Sequence, residues 1–473
     1  MDVKWKGKGK EKGKVYLIGA GPGAADLITL RGRRALQSAQ VILSDYLLPT
    51  NFLEEVGVPR AGKEIVQLEE NGRAAQEKIN ELLLRRAAEG KIVARLKNGD
   101  PLIFGRGNEE AQYLTAQGIP WEVIPGISSG VAGPASAGLS LTWRGTGRSF
   151  AVVTARNAGG ATQEAYPRAD SLVIYMGASV LGEIAERLIG EGWPGATSAV
   201  LVERASQPWE RHAHGTLADL SRVAEEAHIQ APALLIVGAA ASPEQRFHDG
   251  PRILFTGLDP TNFRASGRLL HWPALEVVRE EAGYQALPGI VAQLRAREFG
   301  WMIFTSKVGV ASFVEALSER HLDGRALSGA RIAAAGAGTA SALREAGLIP
   351  DAVPNEGGSR GILEVVGDAR GQNILLVQGT HAPEGLEAAL QRRGARVTRL
   401  GLHRVQPHPE LGRPLPKHDV AYFVSPSGVN AYWEKYGPEA FRKELWAIGE
   451  ITLAAIAKLG FSGKVVDPHE GRN

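Results

Sequence analysis

Short β-branched runs alternate with longer amphipathic ones through the first 240 residues: VYLIG before TLRGRRALQSA, then VILSD, and later KIVARL, GNEEAQYLTAQG and WEVIPG. Strand-like runs that keep giving way to a 3.6-residue helical period predict strands covered by helices, an α/β architecture. A second series, SFAVVTA, SLVIYMG, VLGEIAERLIGEG, TSAVLVE and PALLIVG, is set off from the first by a break at Pro125-Gly126, which predicts two subdomains. AAASPEQRFHDG then follows with no apolar period and is read as the major linker.

Beyond the linker the chain repeats itself. IFTSKVGVASFVEAL (Ile303–Leu317) and YFVSPSGVNAYWEKY (Tyr422–Tyr436) share a strand, a Ser, a Gly three residues on, and a helix. Each is followed by a matched segment, Ile332–Leu348 and Leu445–Phe461, in which Gly336 and Gly449 stand three positions before Thr339 and Thr452. Two copies of a two-part pattern predict two similar α/β domains. A glycine turn after a strand leaves backbone N–H groups free at a helix start, a setting that suits carboxylates; the plainer reading of these residues is helix capping.

Composition narrows the chemistry. The 473 residues exceed what a single core supports, so three or four compact units are expected. There are no cysteines, so disulfides, thiolate metal sites and cysteine nucleophiles are excluded. A net charge of +3 gives no ground for a nucleic-acid partner, and no apolar run reaches bilayer length. The opening MDVKWKGKGKEKGK is basic without the apolar stretch of an export signal, and is expected to be a disordered tail on a soluble, cytoplasmic protein. His212 and His214 lack a third ligand and are expected to decorate an exposed strand, so no metal is assigned.

The loop Gly19-Ala20-Gly21-Pro22-Gly23-Ala24 satisfies G-x-G-x-x-A, and Asp45 closes the next strand where a ribose-binding acid would stand. Taken alone, this pattern would suggest a flavin- or nicotinamide-dependent oxidoreductase. A phosphate site, however, needs the loop to run straight into a helix, and here AADLIT intervenes, with Thr29 the expected N-cap.

Further segments extend the pattern: RLKNGDPLIFGRGNEE (Arg95–Glu110), IPGISSGVAGPASAGLSLTWRG (Ile124–Gly145), LVIYMG, VERA and PALLIVG. In this order, over roughly residues 14–241, the chain resembles the uroporphyrinogen-III C-methyltransferase branch of the tetrapyrrole methylases. The resemblance implies two α/β subdomains, about 14–125 and 126–241, with S-adenosyl-L-methionine between them, S-adenosyl-L-homocysteine as its product, and a homodimer. By matching position it implies that Pro22, Asn98, Gly99, Asp100, Ile103, Ser128, Ser129, Met176, Ala205 and Ala233 line the donor pocket. Asp45 matches the proposed base and Lys63, in AGKE, the proposed proton donor. Uroporphyrinogen III is a polycarboxylate, which makes Arg31, Arg33, Arg106 and Arg144, in or beside these loops, candidates to bind it. Asn98, Ser44 and Trp143 depart from the family's Gly, Tyr and His, which bears on substrate preference and on the number of methyls transferred.

From about Pro251 to Val466 the chain is similar to uroporphyrinogen-III synthases, which close hydroxymethylbilane with inversion of one ring; the resemblance rests on ILFTG, GWMIFTSKVGV, AAAGAGTASALREAGL, FVSPSGVNAY and AIGEITLAAIAKLG. It implies a two-domain α/β fold, one lobe about 251–278 plus 404–470 and the other about 279–403, with substrate between them and Ser306, Thr339, Ser425 and Thr452 among its contacts. The family's tyrosine is His403 here. The expected order is a tail over 1–13, a methylase over 14–241, a linker over 242–250 and a synthase over 251–470. The expected activity is synthesis of uroporphyrinogen III and its methylation through precorrin-1 to precorrin-2, towards sirohaem or cobalamin. The alternative is an active methyltransferase with a degenerate, tetrapyrrole-binding second half.

Overall fold

The computed structural model describes residues 12–467 apart from 50, 61, 69–72, 157–159, 246–249, 261–262, 266, 328 and 356. Nearly all of the expected basic tail, and residues 246–249 of the expected linker, lie outside the described residues. The chain forms two compact units, one of Met1–Ala274 with Pro409–Asn473 and one of Leu275–His408.

The first unit begins with a parallel sheet of β1 (Val15–Gly19), β2 (Val41–Ser44), β3 (Glu64–Gln67), β4 (Val93–Lys97) and β5 (Trp121–Ile124), in the order β3-β2-β4-β1-β5. Its inner strands are buried because both faces are covered, and β4 carries Arg95 and Lys97 into that interior. Ile18, Ile42 and Leu96 pack against Leu36 of α1 (Leu30–Ser38) and Phe52 of α2 (Phe52–Glu55). Val15, Leu17, Val41 and Leu43 pack on the other face against Leu83 of α3 (Arg73–Ala88) and Leu114 of α4 (Gly107–Ala116). All five strands run the same way, so the loops that follow them gather at one edge.

α5 (Ser129–Ser136) leads to a second sheet, of β6 (Phe150–Thr154), β7 (Ser171–Tyr175), β8 (Ser198–Glu203), β9 (Arg211–Thr216) and β10 (Ala233–Gly238). Its order is β6-β7-β10-β8-β9; only β6 and β7 pair in parallel. Two 3-10 turns, Ala239–Ala241 and Pro243–Gln245, follow, and the first buries Ala240 and Ala241.

Next come β11 (Arg252–Phe255) and β12 (Arg268–His271). The chain then builds the second unit: a ribbon of β13 (Leu275–Arg279) with β18 (His403–Pro407), and a parallel sheet of β14 (Trp301–Phe304), β15 (Arg331–Ala334), β16 (Asn373–Val377) and β17 (Arg396–Leu400) in the order β15-β14-β16-β17. It returns to the first unit as β19 (Val420–Phe423), β20 (Glu444–Ala447) and β21 (Lys464–Val465), completing the parallel sheet β12-β11-β19-β20-β21. The sequence repeat thus places one copy in each unit, since β14 and β15 are neighbours in one sheet and β19 and β20 in the other. No helix among the described residues is long and apolar enough to cross a membrane.

Candidate active site

Three strand ends of the first sheet meet with almost no space between them. Gly21 and Gly99 exchange backbone hydrogen bonds, Gly99 N to Gly21 O at 2.7 Å and Gly21 N to Gly99 O at 3.2 Å. A Cβ on Gly126 would stand 2.1 Å from Gly99 O, and one on Gly19 would stand 2.4 Å from Gly126 N, so no larger residue fits either place. Asp100 locks the third loop to the second, its Oδ2 accepting from Gly126 N at 3.1 Å while Oδ1 accepts from Leu102 N at 2.8 Å. The loop after β1 does not feed a helix directly. A 3-10 turn, Ala25–Leu27, intervenes, and α1 starts at Leu30 with Thr29 Oγ1 accepting from Gly32 N, which removes the dinucleotide geometry.

From this junction the site extends to the second sheet. Ser128 caps α5 and lies 2.7 Å from the Tyr175 hydroxyl, to which Ser129 Oγ donates at 3.0 Å. Tyr175 packs on Phe104 with ring centroids 5.2 Å apart, and beside these rings Ile103 and Met176 are 43% and 52% exposed. Large apolar side chains left bare at strand ends suit an organic ligand. Gly133 of α5 lies against Ala205 and against Leu234, the residue after Ala233 in β10. Gln207 Nε2 donates to Pro22 O at 3.1 Å, joining the loop after β8 to the glycine loop. Asn98 Oδ1 is buried without a hydrogen-bond partner, an acceptor that a bound donor group would satisfy. Of the ten residues expected around the methyl donor, Pro22, Gly99, Asp100, Ser128, Ser129 and Ala205 lie in segments joined by these contacts.

Asp45 stands at the end of β2 on the same edge. Its Oδ1 accepts from Arg95 Nη2 at 2.6 Å and its Oδ2 from Asn98 N at 3.3 Å. Arg95 Nε and Lys97 Nζ both donate to Glu110 Oε1, at 3.1 and 2.9 Å, and Gln76 Nε2 does so at 3.1 Å. Arg95, Lys97 and Glu110 are all buried. Burial first, and then the neighbouring Arg95, hold the Lys97 ammonium below the ordinary lysine range.

Lys63 is not at this edge. It precedes β3, at the opposite end of the sheet, and its ammonium donates to Gln37 O at 2.7 Å and Ala39 O at 2.5 Å, at the C-terminal end of α1. Burial lowers its pKa. The β3 residue beside Asp45 is Gln67, paired in register with Ser44, whose Nε2 donates to Asp45 O at 2.7 Å. Sequence reasoning missed Gln67, Arg95, Tyr175 and Gln207; alternation along RLK put Arg95 and Lys97 on one strand face and was the available signal for one of them.

The arginines already have carboxylate partners or lie on the surface: Arg31 pairs with Glu122 of β5, Arg106 with Glu109 at 2.7 Å, and Arg144 is exposed on the Trp143–Gly147 turn. His212, expected on an exposed strand, is instead enclosed, with Glu210 Oε1 2.6 Å from its Nε2 and Arg268 donating to the ring. No group of three metal-ligating side chains occurs among the described residues.

In the second unit Ser306 caps the helix Lys307–Ser318, accepting from Gly309 N at 3.0 Å, and Thr339 is buried in the first turn of Ala337–Glu345. His403 is buried near Gly309 and Gly379; desolvation pushes its pKa down, and its Nδ1 has no hydrogen-bond partner. In the first unit Ser425 caps Pro426–Tyr436 through Gly428 N at 3.1 Å, and Thr452 is buried in the first turn of Glu450–Lys458. The capping reading of both serines therefore holds.

Residues 14–221 match the model of the Tetrapyrrole (Corrin/Porphyrin) Methylases, and residues 263–471 match that of Uroporphyrinogen-III synthase HemD. The porphyrin biosynthesis protein HemD of Ruminiclostridium josui is 33% identical over 421 residues, covering 83% of this chain and 82% of its own length. The S-adenosyl-L-methionine-dependent uroporphyrinogen III methyltransferase of Methanosarcina barkeri is 38% identical over 232 residues, 48% of this chain and 91% of its own. A uroporphyrin-III C-methyl transferase of Thermus thermophilus, solved with S-adenyl homocysteine, is 37% identical across 48% of this chain and 93% of its own, at a TM-score of 0.42.

Proposed function

Since the chain belongs to the tetrapyrrole methylases over residues 14–221 and to the uroporphyrinogen-III synthases over residues 263–471, we propose that it closes hydroxymethylbilane to uroporphyrinogen III and methylates that product to precorrin-2. The observation that carries the first activity is the junction of Gly21, Gly99 and Gly126, with Asp45 beside it and Ile103 and Met176 bare at its rim.

S-adenosyl-L-methionine, when bound, supplies a methyl carbon on a sulfonium. The chain's work is to hold that group and the macrocycle in line, and orientation of this kind lowers a barrier by about 7–11 kcal/mol. Pro22, Asn98, Gly99, Asp100, Ile103, Ser128, Ser129, Met176, Ala205 and Ala233 would hold the donor, with Gly99 contributing backbone and no side chain. Asp45, aimed by Arg95 and the Asn98 N–H, would take the proton lost from the methylated macrocycle, a step worth about 10²–10⁴-fold. Lys63, tied to α1, has no part in that transfer. Arg31, Arg106 and Arg144 would meet the substrate carboxylates, and the first two must give up their present carboxylate partners to do so.

For the second activity, Ser306, Thr339, Ser425 and Thr452 would order free N–H groups at helix starts for acetate and propionate groups. His403, buried with its pKa pushed down by desolvation, would shape the site. The methyltransferase portion would span 14–241 and the synthase portion 251–470, in a cytoplasmic enzyme that dimerises through the first.

Hydroxymethylbilane given to the full chain with and without methyl-labelled donor, followed by mass analysis of the oxidised products, tests both activities. Type-III porphyrinogen without donor, and two added methyls with it, are expected. Methylation only of preformed uroporphyrinogen III would favour a second half that binds tetrapyrrole without closing it.

A further inference from the structure

The loop Arg204–Glu210, between β8 and β9, belongs to the donor rim on one side. Gln207 donates to Pro22 O and fills the space that a side chain on Gly23 would need, 2.2 Å from a Cβ there, while Ala205 packs on α5 at Gly133. The loop is also strained: Arg204, Ser206 and Trp209 all have left-handed backbone, at φ 50, 62 and 70°. Non-glycine residues persist in that region only where surrounding contacts over-determine them.

Those contacts come from the segments flanking the second unit, within the same compact unit as the loop. Trp209, buried, meets the fully buried Trp272 with ring centroids 4.4 Å apart, and the Trp209 backbone N–H donates to His271 O at 2.9 Å. Arg204 Nη1 lies 3.5 Å from Glu410 Oε2. Arg268 of β12 reaches Glu210 Oε1 at 3.4 Å, and Glu210 Oε2 in turn accepts from Ser206 N at 2.5 Å inside the loop. The same Arg268 group donates to Ser136 O at 3.3 Å, at the end of the helix whose start carries Ser128 and Ser129. One guanidinium thus touches the backbone of α5 at Ser136 and, through the Glu210 carboxylate, the loop Arg204–Glu210.

We propose that Arg268, Trp272 and Glu410, which lie in the synthase portion of the chain, are positioning residues of the methyltransferase: they hold loop Arg204–Glu210 in the strained form that presents Ala205 and Gln207 to the methyl donor. The proposal rests on the reading of the first activity given above. It makes the fusion a mechanical part of the donor pocket and gives the methyltransferase a reason to keep its neighbour whether or not that neighbour turns over.

The test uses the full chain, with Arg268→Gln and Glu410→Gln as the milder variants and Trp272→Leu as the severe one. Uroporphyrinogen III is supplied directly and S-adenosylmethionine is varied; S-adenosylhomocysteine affinity is measured by calorimetry, and uroporphyrinogen-III synthesis is followed without donor. The expected result for the two milder variants is a KM for the donor raised about tenfold, with the same loss in S-adenosylhomocysteine affinity, kcat at saturating donor retained, and synthase rate unchanged. Unchanged donor KM and S-adenosylhomocysteine affinity in both milder variants would overturn the proposal, as would a fall in kcat alone. If the unaltered chain binds no donor, the underlying reading fails instead, and the two failures are distinct.

Discussion

Arg95 Nη2 donates to Asp45 Oδ1 at 2.6 Å while Nε of the same guanidinium donates to Glu110 Oε1 at 3.1 Å, so a carboxylate at the rim of the site is aimed by one buried in the fold. The second carboxylate also takes the Lys97 ammonium at 2.9 Å, leaving two buried cations to share Glu110. Such an arrangement makes the active-site edge depend on a residue that no substrate touches.

Asp45→Asn should separate the roles of binding and proton removal. The amide can still accept from Arg95, so the local structure should stand and S-adenosylhomocysteine affinity should stay within about twofold. Methyl transfer should slow by about 10²–10⁴-fold, the usual worth of a positioned base. Single-turnover rates with saturating donor, set beside calorimetric affinity, check this. An equal loss of rate and donor affinity would place Asp45 in the donor pocket instead.

Glu110→Gln should be far more harmful than Lys97→Met, although both remove one charge from the same cluster. The first leaves Arg95 and Lys97 buried against a neutral amide, and breaking a buried pair costs about 3–5 kcal/mol. The second removes a cation whose charge is already disfavoured by burial and by Arg95, and leaves Arg95 with Glu110. Urea unfolding followed by far-UV circular dichroism should show an early transition for Glu110→Gln alone. Comparable midpoints for the two variants would mean that Glu110 is not the anchor.

Gly99 and Gly126 stand at the same junction, yet their substitutions should fail differently. A Cβ at Gly126 would lie 2.1 Å from Gly99 O, so Gly126→Ala must push strand ends apart and should lower yield and thermal stability. At Gly99 the nearest atom, Ser129 N, would be 3.7 Å away, which is ordinary contact; the backbone is left-handed, φ 62°, and costs an alanine about 1–2 kcal/mol. Gly99→Ala should therefore fold, and Gly99→Leu should lose donor binding because the added bulk points into the open rim. Full S-adenosylhomocysteine affinity in a folded Gly99→Leu chain would move the donor elsewhere.

What could be read from the sequence follows from what is local. Thr29 as a cap, the glycine turns and the repeated Ser-x-x-Gly depend on a few adjacent residues, and each is found where its pattern puts it. Lys63 shows the limit. Which residue of a strand reaches the site edge depends on where the strand begins, and register with β2 puts Gln67 there, four positions past the lysine. The Arg95–Glu110 pair joins a strand to a helix, and the Gln207–Pro22 bond spans 185 residues; neither leaves a periodic trace. The sequence marks Ala205 in VERA but not the left-handed backbone of the loop Arg204–Glu210, whose contacts with Trp272 and Arg268 lie beyond the expected linker.

Stability should fall as pH drops below neutrality, through two histidines. His403 and His418 are buried, and desolvation lowers both pKa values from the ordinary 6.5. The unfolded chain therefore binds protons near pH 6.5 that the folded chain refuses, and the linkage relation makes stability rise with pH wherever the unfolded state holds more protons. The contribution is complete above the unfolded value and is lost as pH falls from about 6.5 towards the folded values. The slope reaches at most about 1.4 kcal/mol per pH unit for each histidine. His403 lies in the unit Leu275–His408 and His418 in the other, so thermal scans between pH 7.5 and 5 on His403→Phe and His418→Phe should each flatten the dependence of a different transition. A pH profile left intact by both substitutions would assign the acid sensitivity to other groups.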